Sequence, residues 1–121
     1  MNKKEKAVLI DQVVEEIYKA YPELWDRFGD HGHERTEEDN YHHLDHLFAA
    51  YEMNSASFFL EYTDWLNNVL TSRGVGTQLI VDNYNRLIRH LSDGKWENPN
   101  EVKTYINYLE LGLERLQKLS Q

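Results

Sequence analysis

The sequence predicts an all-α protein, an antiparallel helical bundle of four long helices plus a short extra helix. Three observations lead there. Apolar residues recur at three- and four-residue intervals through most of the 121 residues. No segment sustains the period-two alternation of a half-buried strand. The breaks between periodic segments are short, which joins long helices as antiparallel neighbours. The length suits one domain, residues 1–121, with a single core.

The first helix is expected over about 4 to 20, with Val8, Ile10, Val13, Val14 and Ile17 as its apolar stripe. Pro22 stands at a first-turn position and opens a short helix, "PELWDRF", with Leu24, Trp25 and Phe28 facing inward. Gly29 and Gly32 are expected to break it. "TEED" at Thr36 reads as a capping box and starts the next helix, to about Met53, with Tyr41, Leu44, Phe48 and Tyr51 along its apolar face. Asn54 or Ser55 caps a helix over about 56 to 73. Its stripe has one edge of Phe58, Tyr62, Trp65 and Val69 and another of Phe59, Leu66 and Leu70. Gly74 sits at a left-handed position just past that helix. Thr77 is expected to cap a helix to about Ser92, carrying Ile80, Tyr84, Leu87, Ile88 and Leu91. After "SDGKWENPN" the last helix, about 99 to 119, presents Val102, Ile106, Leu109, Leu113 and Leu116.

Composition narrows function. Cysteine is absent, which removes disulfides, thiolate nucleophiles and Cys-ligated zinc, and fits a reducing, cytoplasmic setting. The basic start is followed by an apolar run that Asp11 interrupts, with no small-residue cleavage site. No apolar run approaches the ~20 residues of a membrane span, so no membrane is expected as a partner. A formal charge of −8 disfavours nucleic acid, since phosphate neutralisation needs a basic stripe. Arg86 and Arg89, with Tyr84 and His90, form a cluster suited either to an anion or to an acidic segment of the chain. No P-loop, dinucleotide fingerprint or Gly-x-Ser-x-Gly element occurs.

The chemically dense stretch is "GDHGHERTEEDNYHHLDHL", Gly29 to Leu47, which holds five of the six histidines. On a helix from Thr36, Asp39, His42 and His46 fall on an i, i+3, i+7 line, and His42–His46 is an i, i+4 pair of the kind found in helical metal sites. His31 and His33, placed in a preceding loop, are candidates to complete a divalent-metal shell. The Glu-x-x-His pattern of carboxylate-bridged di-iron bundles is missing. The apolar stripe centred on Leu44 and Phe48 puts all three helical histidines, His43 included, on the side facing water or a partner. A pH-responsive interface is the third option, since surrounding carboxylates raise imidazole pKa values.

"YPELWDRFG", "EEDNYHHLDHL" and "FFLEYTDWLNNVLTSRGV" resemble the helical domain that precedes the corrinoid-binding domain in bacterial cobalamin-binding regulatory proteins. The resemblance covers roughly residues 21 to 92. It implies a small helical module in bacterial sensing or regulation, with Tyr62 and Trp65 as the positions to watch, both on the edge that periodicity buries. The corrinoid domain's Asp-x-His-x-x-Gly segment and α/β fold do not occur in these residues. What carries over is fold and context, and cobalamin binding by this chain alone is not expected.

The resulting expectation is a non-enzymatic regulatory domain acting through protein contact, as a homodimer. The second reading is a divalent-metal protein using Asp39, His42 and His46 with His31 or His33. A third is an apolar small ligand or tetrapyrrole held between Trp25, Tyr62 and Trp65.

Overall fold

The computed structural model describes residues 1–119 and is all-helical over them. Five helices follow in order: α1 (Lys3–Ala20), α2 (Glu23–Met53), α3 (Ala56–Ser72), α4 (Thr77–Asp93) and α5 (Pro99–Leu119). The α5 helix packs along α3 and α4, α1 lies between α2 and α4, and α2 closes the circuit against α3. One core runs through all five, with Leu9, Ile10, Leu44, Leu47, Leu87 and Leu109 among its buried side chains.

Local chemistry explains most boundaries. A reciprocal capping box between Asn2 and Glu5 starts α1, and Asn98 caps the first turn after which Pro99 opens α5. Ser55 caps α3 by accepting from the Phe58 amide. At the other end of α3, Gly74 has φ +83°, the Val75 N–H reaches the Leu70 carbonyl at 2.9 Å, and the Gly74 N–H reaches Thr71 at 3.1 Å. These are the paired bonds of a Schellman ending, with Leu70 and Val75 as its apolar contact. Thr77 does not cap α4. Gly76 holds the cap position, and the Thr77 hydroxyl donates to Asn67 across the turn at 2.7 Å.

The largest departure from expectation is α2, a single element of 31 residues bent at Gly29. The expected short helix and loop are both inside it. Gly29 has φ +61° and ψ −154°, a conformation that side chains with a Cβ essentially never adopt. Gly32 does not break the helix. A Cβ there would lie 2.3 Å from the Phe28 Cβ and 3.0 Å from the Tyr18 hydroxyl, so this glycine permits close approach. Thr36 sits within the helix, and its hydroxyl turns back to the Gly32 carbonyl at 2.8 Å. The bend folds the arm 23–28 onto α1, where Trp25 meets Tyr18 edge to face at 4.7 Å between centroids. Leu24 is half-buried there, whereas Trp25 and Phe28 remain exposed rather than inward. Val8 is exposed too, with Leu9 taking its place in the core.

The buried face of α2 is also turned from the expected one. Asn40, His43, Leu44, Leu47 and Ala50 are inside, while Tyr41 and Phe48 are exposed. At 100° per residue, this is a rotation of about 70° toward the histidine flank. Polar pairing fixes it. Asn40 and Asn83 exchange two amide hydrogen bonds, of 3.0 and 2.7 Å, between α2 and α4. His43 bonds the Tyr62 hydroxyl of α3 at 2.6 Å, and Thr63 bonds Tyr84 at 2.9 Å between α3 and α4. Among the described residues no buried side-chain nitrogen or oxygen lacks a partner.

The Asn40–Asn83 pair therefore predicts a strong coupling. Replacing either asparagine by alanine strands the other amide in the core and costs about 1–3 kcal/mol in urea unfolding. The double substitution costs clearly less than the sum of the two. Strict additivity of the three measurements would refute the reciprocal bond.

Candidate functional site

Two concavities meet on the α2 side of the molecule. The outer one is an open groove between α2 and α3. Asp39, His42 and His46 form one wall, and Tyr62, Trp65 and Phe58 the other. The α2 rotation produces this arrangement: it pulls His43 inward and swings the Asp39–His42–His46 line round to border α3.

In the groove four rings form a stacked series. His46 lies over Tyr62 at 3.8 Å between centroids with 14° between planes, and over Phe58 at 5.9 Å and 20°. Tyr62 continues to Trp65 at 6.1 Å and 30°. The His46 Nδ1 lies 2.8 Å from the His42 carbonyl. A carbonyl only accepts, so Nδ1 carries the proton and Nε2 is the ring's remaining polar atom. Trp65 was expected on the buried edge, but it is 59% exposed. The helix leaves its end of the ring series open at the groove lip.

The inner concavity is a cavity of about 240 Å³ roofed by the α2 arm. Its apolar lining comes from Ile17 of α1, Leu24 and Phe28 of the arm, Leu70 of α3, and Leu79 and Ile80 of α4. Polar residues line it as well: Tyr18, Arg35, Thr36, Asp39, His43, Arg73 and Asn83, with Arg35 and Arg73 both acting on Asp39. Asp39, Leu70 and Arg73 line both spaces and form the partition between them.

Burial dominates the electrostatics here. It drives the His43 imidazole down to about 3, with the neighbouring His42 and His46 adding repulsion. Burial also raises the Tyr62 phenol far above its ordinary range, so the His43–Tyr62 pair is neutral throughout physiological pH. Asp39 is raised by burial too, against the opposing pull of His42, Arg35 and Arg73.

The remaining sequence candidates lie elsewhere. His33 is on the α1 side, stacked on Trp25 at 5.2 Å and near Tyr18, with Glu15 at 3.3 Å and Glu37 at 3.5 Å. His31 is exposed on the same helical stretch, which is not the loop expected there. Trp25 belongs to this cluster, so the structure joins Tyr62 with Trp65 but not with Trp25. Among the described residues no three His, Asp or Glu side chains converge to hold a metal ion. The Arg86, Arg89 and His90 cluster closes on Glu16 of α1. Burial alone would raise the Glu16 carboxyl, but His90, Arg86 and Arg89 together hold it below its usual range.

Sequence reasoning missed His43, Asn40, Asn83, Arg35 and the cavity itself. The one available signal was Asn40 beside His43 at positions facing Leu44 and Leu47 on a wheel. The chain matches no protein-family model, no curated protein and no solved structure. Its site is therefore read from its own geometry.

The depressed His43 value sets a pH dependence. In the folded protein His43 stays neutral down to about 3, whereas in the unfolded chain it takes up a proton below the ordinary imidazole value of 6.5. The unfolded state binds more protons in that window, so stability falls as pH drops from 6.5 toward 3. The slope from this group approaches ~1.4 kcal/mol per pH unit. Urea unfolding at pH 7, 6 and 5 should show the wild type losing more stability than His43→Gln across the series. Parallel losses in both proteins would remove the assignment.

Proposed function

We propose that this chain is a non-enzymatic bacterial helical-bundle sensory or regulatory domain. It acts by contact with another protein surface, a second copy of itself first, with a small ligand as a further occupant. The observation that carries this reading is the stacked series Phe58–His46–Tyr62–Trp65, whose last ring is 59% exposed at the lip of an open groove. Exposed aromatic side chains with a rigid backing are the anchors that protein interfaces use. Tyr41 and Phe48, exposed on the other flank of α2, add apolar area. The resemblance of residues 21 to 92 to a helical regulatory domain supports the same class. The buried imidazole, His43, is engaged through Nδ1 with the Tyr62 phenol.

Sedimentation velocity from low to high micromolar concentration tests the contact. The wild type self-associates in that range, and Trp65→Glu shifts the midpoint at least tenfold upward while leaving the helical circular dichroism unchanged. A monomer up to several hundred micromolar would end the self-association reading.

A divalent metal is the second reading: Asp39, His42 and His46 line one groove wall without converging on a common point, and among the described residues the His46 Nε2 makes no hydrogen bond. His31 and His33 lie away from that wall, so water would complete the shell, and affinity would be modest. Calorimetric titration with zinc at pH 7.5 should then give a one-site isotherm that His42→Ala/His46→Ala abolishes. Identical heats for both proteins would exclude the site.

A further inference from the structure

We infer that the inner cavity is a binding site for a small amphiphilic anion, an apolar body of roughly eight to ten carbons ending in one carboxylate, with its head group between Arg35 and Arg73. Three observations converge on this class. First, the size is right for such a body. At about 240 Å³ the cavity is roughly one and a half times the ~150 Å³ apolar cavity that stays dry and takes up benzene. Its apolar lining includes Ile17, Leu24, Phe28, Leu79 and Ile80, none of which offers a side-chain hydrogen bond.

Second, the positive charge at its polar side is only partly compensated. Arg86 and Arg89 are paired with Glu16, and Arg115 with Asp64. Arg35 and Arg73 make no ion pair within 4 Å among the described residues, and Asp39 is the sole carboxylate lining the cavity with them. The polar side thus has an excess of positive charge in a chain of net charge −8. Guanidinium groups present two parallel donors to a carboxylate, which makes them the natural partners for that head group.

Third, the interior polar groups do not compete for the ligand. Asn83 is engaged by Asn40 through both atoms of its amide, the His43 Nδ1 by the Tyr62 hydroxyl, and the Tyr18 and Thr36 hydroxyls by each other. With these groups engaged, a charged head has reason to stay at the partition with the groove, beside Arg73. Arg73 and Asp39 line both spaces, so the groove offers a route inward past that partition.

Titration calorimetry with sodium octanoate, 1-octanol and octylammonium chloride tests the class, with two-dimensional amide NMR to locate binding. Octanoate saturates at one per chain and binds at least fivefold more tightly than octanol, and octylammonium binds more weakly than either. Shifts fall on Leu24, Phe28, Leu79 and Ile80. Arg35→Gln/Arg73→Gln brings octanoate to the level of octanol while octanol is unchanged. Leu79→Trp, which fills the cavity, abolishes both; Val75→Phe serves the same purpose should Leu79→Trp lose its helical circular dichroism. Trp65→Glu leaves octanoate binding intact, which separates this site from the groove contact. Equal affinity for all three probes, binding that does not saturate, or shifts centred on Trp65 would each overturn the proposal.

Discussion

The side-chain pairs between α2, α3 and α4 decide how α2 lies. Asn40 with Asn83, His43 with Tyr62, and Thr63 with Tyr84 form a polar seam inside an apolar core. An unpaired amide or imidazole at that depth costs more than a paired one contributes, so the seam acts mainly by excluding other registers and rotations. Turning α2 by one residue's angle would strand Asn40 and His43 together. Everything visible on the α2 flank follows from that constraint, including the outward placement of Tyr41 and Phe48 and the meeting of His46 with Tyr62.

The seam also divides the two concavities. His43 lines the inner cavity and Tyr62 the outer groove, so one 2.6 Å hydrogen bond spans the wall between them. Above pH 6.5 neither partner changes its charge, which makes this wall a fixed structural element rather than a titrating one. The charged groups lie outside it, where burial raises the Asp39 carboxyl against the pull of His42, Arg35 and Arg73. The neutral pair and the charged rim thus both draw on α2 and on α3 with its cap residue.

What was legible in the sequence follows from how local each signal is. The start and end of α3 and the start of α5 were set by Ser55, Gly74 and Pro99, whose effects reach only a few residues, and the expected limits differ little from those observed. The α1 cap at Asn2 was equally local, spelled by Asn2 and Glu5, but was passed over. Gly32 misled because glycine has two uses, and only the tertiary approach of Tyr18 and Phe28 tells which one operates. The three histidines misled for a similar reason. Hydropathy ranks His42, His43 and His46 alike, while the partner that draws His43 inward is a tyrosine on the next helix. Trp65 shows the converse: a stripe wider than the core can absorb must leave one edge outside, and periodicity does not say which.

The bend at Gly29 has a mechanical corollary. From Gly29 to Trp25 the arm is about 6 Å long at 1.5 Å per residue, and it is held to the rest of α2 through one backbone torsion pair. A change of ~10° at that pivot displaces the Trp25 end by roughly 1 Å, a good part of the gap between two packed methyl groups. The arm supplies Leu24 and Phe28 to the cavity roof, so that roof height is geared to a single residue without a side chain. The tolerance of the whole chamber is set at its hinge pin and not in its walls.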